Sequence, residues 1–251
     1  MTEEQMFKIC SATPTNRYIC QHLDEKTLDL CIEMLLKLDA DDFKEIDSNA
    51  EFDFSCLPIP YSNLESAQQD RQQPTFSTEV KRELDKLLNA ININETNLEY
   101  SYLLTGSSKN NIYTNFKPMK VGMSQSVEYD WQRIEDFLKQ CDKDFILSIF
   151  HTHPKPINQQ HNTLYNKHKE TLEKFGVKPS GLNLSLSDIY ANQYLDMLCK
   201  KFGRDEITPE STVLMHDGTL ISFSTKNGVK LTSEHKLVLN KQDEEQSELT
   251  C

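Results

Sequence analysis

Phe145-Ile-Leu-Ser-Ile-Phe-His151-Thr-His153-Pro154 is an apolar run of strand length that ends in two histidines one residue apart. Side chains on a strand alternate, so His151 and His153 point to the same side and lie close enough to share one ion. Phe145, Leu147 and Ile149 fall on that face, and Ile146 and Phe150 fall on the other. Apolar residues on both faces describe a strand buried on both sides. Pro154 removes a backbone donor and ends the ladder. The imidazoles therefore stand at the C-terminal end of a buried strand, where sheet-based sites are commonly placed. A neutral imidazole is the commonest metal ligand, and zinc takes about four ligands, so two histidines are half a site.

Two other stretches bear on the remaining half. Leu184-Ser185-Leu186-Ser187-Asp188-Ile189 opens a helical stretch, Ser187 to Phe202, with Gly203 as its stop. Leu98-Glu99-Tyr100-Ser101-Tyr102-Leu103-Leu104-Thr105-Gly106 reads as a strand, with Leu98, Tyr100, Tyr102 and Leu104 alternating and a carboxylate near its start. Alone, His-x-His is weakly specific. Ser-x-x-Asp alone reads as a capping box, with Ser185 as N-cap and Asp188 at the third helical position. That reading is compatible with a ligand role, since the cap would hold Asp188 rigid. Glu99 alone reads as an exposed carboxylate on a half-buried strand.

Together and in this order, the three stretches resemble the JAB/MPN metalloprotease family, whose JAMM pattern is a Glu on a strand, then His-x-His-Pro, then Ser-x-x-Asp. The resemblance implies that His151, His153 and Asp188 are zinc ligands. It makes Glu99 the general acid/base on the zinc-bound water, and Ser185 a group that helps stabilise the developing oxyanion. The fold it implies is α/β: a mixed sheet flanked by helices in a three-layer arrangement like that of cytidine deaminases, with a helical N-terminal extension. Two departures stand out. Tyr102 occupies the place where the family often has a glycine, although Gly106 fits the later one, and the segment between His153 and Ser185 is much longer than in the compact family pattern.

The family cleaves isopeptide bonds to ubiquitin or ubiquitin-like tails, and some bacterial members cleave other C-terminal tails. The resemblance therefore implies a zinc isopeptidase (a deubiquitinase, or a deconjugase of a related modifier) whose partners are ubiquitin or ubiquitin-like conjugates. The alternative is a non-catalytic MPN-like scaffold for protein–protein interaction, although inert members usually lack motif residues and all five are present here. A deaminase would need H-x-E and P-C-x-x-C, and neither occurs.

Composition narrows the classes further. The chain has 251 residues, 37% hydrophobic, with a net charge of -12. That content is enough for a core but leaves room for polar tails or inserts. An acidic surface repels phosphate backbones and argues against nucleic-acid binding; it suits a basic protein surface. The seven cysteines are scattered and form no C-x-x-C, which argues for reduced thiols in a cytoplasm rather than a disulfide framework. Met1-Thr-Glu-Glu-Gln is acidic and polar, unlike a signal peptide, and no apolar run reaches the roughly 18 residues of a membrane span.

Three parts follow along the chain. Residues 1–76 form an N-terminal extension, with an amphipathic helix over Thr27–Leu38, an acidic run from Asp39 to Glu51, and a Pro/Gln/Ser-rich linker or strap from 57 to 76. Residues 77–232 form the JAB/MPN-like catalytic domain. Its first helix, 78–91, buries Val80, Leu84, Leu87, Leu88 and Ile91; a second strand lies near Ile112–Phe116. Val127, Trp131, Ile134, Leu138 and Cys141 make a helical stripe that feeds the histidine strand as a crossover unit. Residues 155–184 are an insertion, with helix-like residues Asn162–Phe175, that reads either as a lid over the site or as a solvated loop; His161 and His168 lie in it as surface residues. Asp217-Gly218 marks a hairpin between strands Thr212–His216 and Thr219–Phe223, with His216 beside the turn as a structural residue. Residues 233–251 are an acidic tail. Such a glutamate-rich end resembles the export signals of some bacterial type IV secretion effectors, but an acidic solubilising tail is the commoner explanation.

Overall fold

The computed structural model describes residues 58–59, 64–66, 75–93, 98–122, 127–141, 144–154, 170, 182–226 and 228–238. The expected helix at Thr27–Leu38, the acidic run after it, the helix-like stretch Asn162–Phe175 apart from Glu170, His161, His168 and the end of the acidic tail lie outside the described residues. In chain order the elements are β1 (Pro58–Ile59), β2 (Glu65–Ser66), β3 (Thr75–Phe76), α1 (Thr78–Ile93), β4 (Tyr100–Ser107), β5 (Ile112–Val121), α2 (Trp131–Gln140), β6 (Phe145–His153), β7 (Leu184–Ser185), α3 (Leu186–Lys201), β8 (Glu210–Met215), β9 (Thr219–Ser224) and β10 (Lys230–Lys236).

Strand β6 lies inside an eight-stranded sheet ordered β2-β10-β9-β8-β6-β4-β5-β3, whose two edges are strands of two residues. It pairs in parallel with β8 and antiparallel with β4. Because β5 is antiparallel to β4 in turn, β5 and β6 run parallel, and α2 is the crossover between them. β8, β9 and β10 form an antiparallel meander on the other side, turned between β8 and β9 at Gly218 with φ of 83°.

The alternation read from β6 decides which helix covers which face. Phe145, Leu147 and Ile149 join a buried cluster with Leu103 of β4, Ile134 and Leu138 of α2, and Leu195 and Leu198 of α3. Phe150, with Leu104, Tyr113 and Leu214, joins the opposite cluster with Val80, Leu84, Leu88 and Ile91 of α1. The architecture is thus α/β in three layers: α1 on one face, the mixed sheet, and α2 with α3 on the other. Each fully buried Leu or Phe in these clusters is worth roughly 1.5–3 kcal/mol relative to exposure. Among the described residues no helix is long and apolar enough to cross a membrane.

Besides shifts of one or two residues at other element ends, four stretches differ from the sequence reading, each for a local reason. β5 continues to Val121, because the stretch Lys117–Lys120, Lys-Pro-Met-Lys, goes on pairing with β4 through a register shift. α2 begins at Trp131, because the Asp130 side chain accepts from the Arg133 N–H and sets the cap there. β10 runs to Lys236, so residues 233–236 belong to the sheet, paired with β9 from Ser222 to Thr219. The stretch 57–76 is stitched to the body at three short strands: β1 to β7, β2 to β10 and β3 to β5.

Gly106 shows how tightly β4 and β5 approach. It faces Tyr113 beside a register shift, and an added Cβ would overlap the Ile112 carbonyl oxygen and lie 2.7 Å from the Tyr113 Cα. Both obstacles are backbone and cannot swing aside. Gly106→Ala is expected to cost about 1–3 kcal/mol as overpacking, which lowers the midpoint of thermal unfolding by about 2–4 °C per kcal/mol in a chain of this size. An unchanged midpoint would mean that the hairpin opens without cost.

Candidate metal centre

Alternation along β6 places His151 on the face covered by α2 and α3, with His153 two residues on at the strand end. Ser101 of β4 lies directly opposite His151. Continuing that antiparallel register brings Glu99, just before β4, level with His153 and onto the same face. The Glu99 backbone is fixed by the Gly122 N–H, which donates to its carbonyl at 2.8 Å. Its side chain is buried, only 8% exposed, rather than lying on an open surface.

Asp188 arrives from α3. The helix opens with the expected capping box: the Asp188 N–H donates to Ser185 Oγ at 3.3 Å, and the Ser185 N–H donates to Asp188 Oδ2 at 2.7 Å. Ser185 is also the second residue of β7, so its backbone is held by the sheet-like pair with β1. One short strand and one cap together fix the direction of the Asp188 carboxylate. The long segment after Pro154 does not keep it away from the histidines.

Three side chains converge. His151 Nε2 lies 2.9 Å from His153 Nε2 and 3.0 Å from Asp188 Oδ1, and His153 Nε2 lies 3.6 Å from Asp188 Oδ2. One ligand atom from each sits within 4.8 Å of the others, and among the described residues this is the one group of His, Cys, Asp and Glu that could hold a metal ion. Each ring also has a further partner. His151 Nδ1 is 2.8 Å from the Tyr129 hydroxyl, and the His153 ring is hydrogen-bonded to the backbone of Asn183. Imidazoles that face a shared carboxylate and are held by further hydrogen-bond partners have the form of a ligand set with outer partners.

The electrostatics agree with that form. Burial pulls His153 down to about 4, and the neighbouring His151 adds to this, so its ring is neutral at pH 7 with a lone pair to offer. Burial disfavours the Asp188 carboxylate, but His151, His153 and the Ser185 N–H outweigh it and hold the group far below the usual range, so it is ionised. Burial also pulls His151 down, yet the Asp188 charge and hydrogen bond, with Glu99, leave it raised. A cation at this point would replace the proton that His151 shares with Asp188. Burial pushes the Glu99 carboxyl up to about 8; His151 opposes this and Asp188 adds to it. Glu99 thus feels the charges of the cluster while being tuned for proton exchange near neutral pH.

Ser185 is less committed. Its hydroxyl is half-buried, accepts the Asp188 N–H, and shares a 2.9 Å hydrogen bond with Ser187 Oγ. Tyr129 and Asn183 are the participants that sequence reasoning missed. Neither has a spacing tied to the histidines, and the Tyr129–His151 contact spans 22 residues. No protein-family model matches the chain, and no curated protein matches it.

Proposed function

We propose that this chain is a zinc-dependent peptidase acting on isopeptide bonds, one that removes ubiquitin or a ubiquitin-like modifier from its conjugates. The observation that carries the reading is the buried meeting of His151, His153 and Asp188 beside a carboxyl, Glu99, pushed up to about 8. Two nitrogen donors and one carboxylate oxygen are the ligand chemistry of a catalytic zinc site, which keeps one position for water or substrate. Bound there, zinc would polarise the scissile carbonyl, lower the pKa of a water to about 7 and draw Glu99 toward the same range.

The chain's own groups supply the rest. Glu99 takes a proton from the attacking water and gives it to the leaving amine nitrogen, so one carboxyl serves first as base and then as acid. Ser185 Oγ accepts from the cap and so keeps its own O–H, which can turn from Ser187 toward the oxyanion that develops on the substrate. Tyr129 and Asn183 hold the imidazoles. The isopeptide assignment rests on the resemblance of Glu99, His151-x-His153-Pro154 and Ser185-x-x-Asp188 to the JAMM pattern.

The test is incubation of purified protein with a panel of ubiquitin and ubiquitin-like conjugates, with and without a chelator, alongside metal analysis. Cleavage of at least one conjugate is expected, abolished by chelation and restored by Zn2+. Stoichiometric zinc with no cleavage across the panel would favour a binding scaffold. No bound metal at all would sink the reading.

A further inference from the structure

Tyr129 is the one hydroxyl that touches a ring of the cluster among the described contacts, and it touches the more buried ring. His151 is 2% exposed and Tyr129 is 8% exposed. The phenol oxygen sits 2.8 Å from Nδ1, while Nε2 of the same ring faces His153 and Asp188. A ring that offers its Nε2 lone pair to a cation must carry its proton on Nδ1, and that N–H needs an acceptor in a place water does not reach. The backbone of Asn183 serves the His153 ring. For His151 the corresponding partner is the phenol.

The position of this phenol is built rather than incidental. Ser101, opposite His151 on β4, donates its hydroxyl to the Glu128 carbonyl at 2.9 Å and accepts the Lys120 N–H at 3.1 Å. The residue before Tyr129 is thereby tied to the strand beside the histidine. Asp130, the residue after it, caps α2. The Tyr129 ring leans on Trp131 at 5.3 Å, which meets Tyr194 of α3 edge-on at 4.7 Å. Backbone on both sides and rings on one flank leave the phenol a single direction, edge-on to His151 with centroids 6.1 Å apart.

We infer that Tyr129 is a positioning residue for the metal centre: its hydroxyl anchors the His151 ring at Nδ1 and fixes the ring's orientation, so that Nε2 is presented to the ion. A phenol, unlike a carbonyl, can hold the ring in either neutral tautomer. It can donate to Nδ1 when the ring's proton sits on Nε2 against Asp188, and accept from Nδ1 when a cation takes that place. The inference rests on the metal reading above but does not require isopeptidase activity.

The test uses the full chain. Tyr129→Phe keeps the ring and its contacts with Trp131 and removes one oxygen. Zinc affinity, read by competition with a chromophoric chelator, should fall by about 10–100-fold, the usual cost of losing an outer partner of a ligating histidine. The visible absorption of the Co2+-loaded protein should change as well, because a ring free to turn alters the ligand field. If the variant does not fold, the wild type carries the test alone: two-bond 1H–15N spectra of the zinc-loaded protein should show His151 protonated on Nδ1. Wild-type affinity with an unchanged cobalt spectrum in Tyr129→Phe, or a zinc-loaded His151 protonated on Nε2, would overturn the inference. Failure of the wild type to bind either metal would instead remove the metal reading beneath it.

Discussion

Glu99→Gln should bind zinc at wild-type stoichiometry and lose hydrolysis by about 10²–10⁴-fold, the usual share of a positioned general acid/base. The substitution is nearly isosteric and leaves untouched the backbone bond from Gly122 to the residue 99 carbonyl. Its electrostatic cost is small as well. Burial holds the Glu99 carboxyl up at about 8 in the metal-free protein, so at neutral pH the folded chain already carries a mostly uncharged group there, and an amide replaces it without burying a new charge. The amide can occupy the place and accept a hydrogen bond, but it cannot exchange a proton with water. Metal analysis after gel filtration and a conjugate-cleavage assay on the same preparation read the two halves. Cleavage at near the wild-type rate would take Glu99 out of the mechanism; loss of zinc would make it a ligand instead.

The parts of the fold that were legible in the sequence are those where one strong period runs through an element. β6 announced both its faces, and the two core clusters follow them: Leu147 and Ile149 toward α2 and α3, Phe150 toward α1. The α1 stripe from Val80 to Ile91 was equally plain. The capping box at Ser185 and Asp188 could be read because it closes within one turn. What stayed hidden depends on partners far along the chain. The two-residue strands β1, β2 and β3 are too short to have a period, and only their neighbours make them strands. Lys117–Lys120, which contains a proline, and the polar stretch Ser233–Lys236 have no strand alternation of their own, and tertiary pairing turns them into ladder. Tyr129 reads as a residue just ahead of a helix, and nothing in its own surroundings in sequence connects it to His151. The residues that would carry the chemistry have types that advertise it; the residues that orient them do not.

Asp188 separates these two kinds of information within one side chain, because it both faces the histidines and closes the cap. Oδ1 lies 3.0 Å from His151 Nε2, and Oδ2 accepts the Ser185 N–H at 2.7 Å. Asp188→Asn can keep the second contact, with the amide oxygen accepting from Ser185, while the amide nitrogen turns a donor toward the histidines. Its metal-free form should therefore keep the cap and lose only the attraction between the carboxylate and the His151 ring, whereas its zinc affinity should fall by more than the about 10–100-fold that losing an outer partner costs, since an anionic ligand itself is gone. Asp188→Ala should lose zinc as completely and also lose the reciprocal half of the cap, a further destabilisation of about 1 kcal/mol. Dialysis against zinc followed by metal analysis, with thermal unfolding of both variants in chelator, distinguishes the two effects. Were Asp188→Asn to retain one equivalent of zinc at wild-type affinity, the third ligand would have to be sought elsewhere, and the histidine pair alone would no longer define the centre. If instead Asn and Ala lose zinc alike and differ only in stability, the carboxylate serves as ligand and cap through separate oxygens, and the direction of the metal bond is set by the first turn of α3.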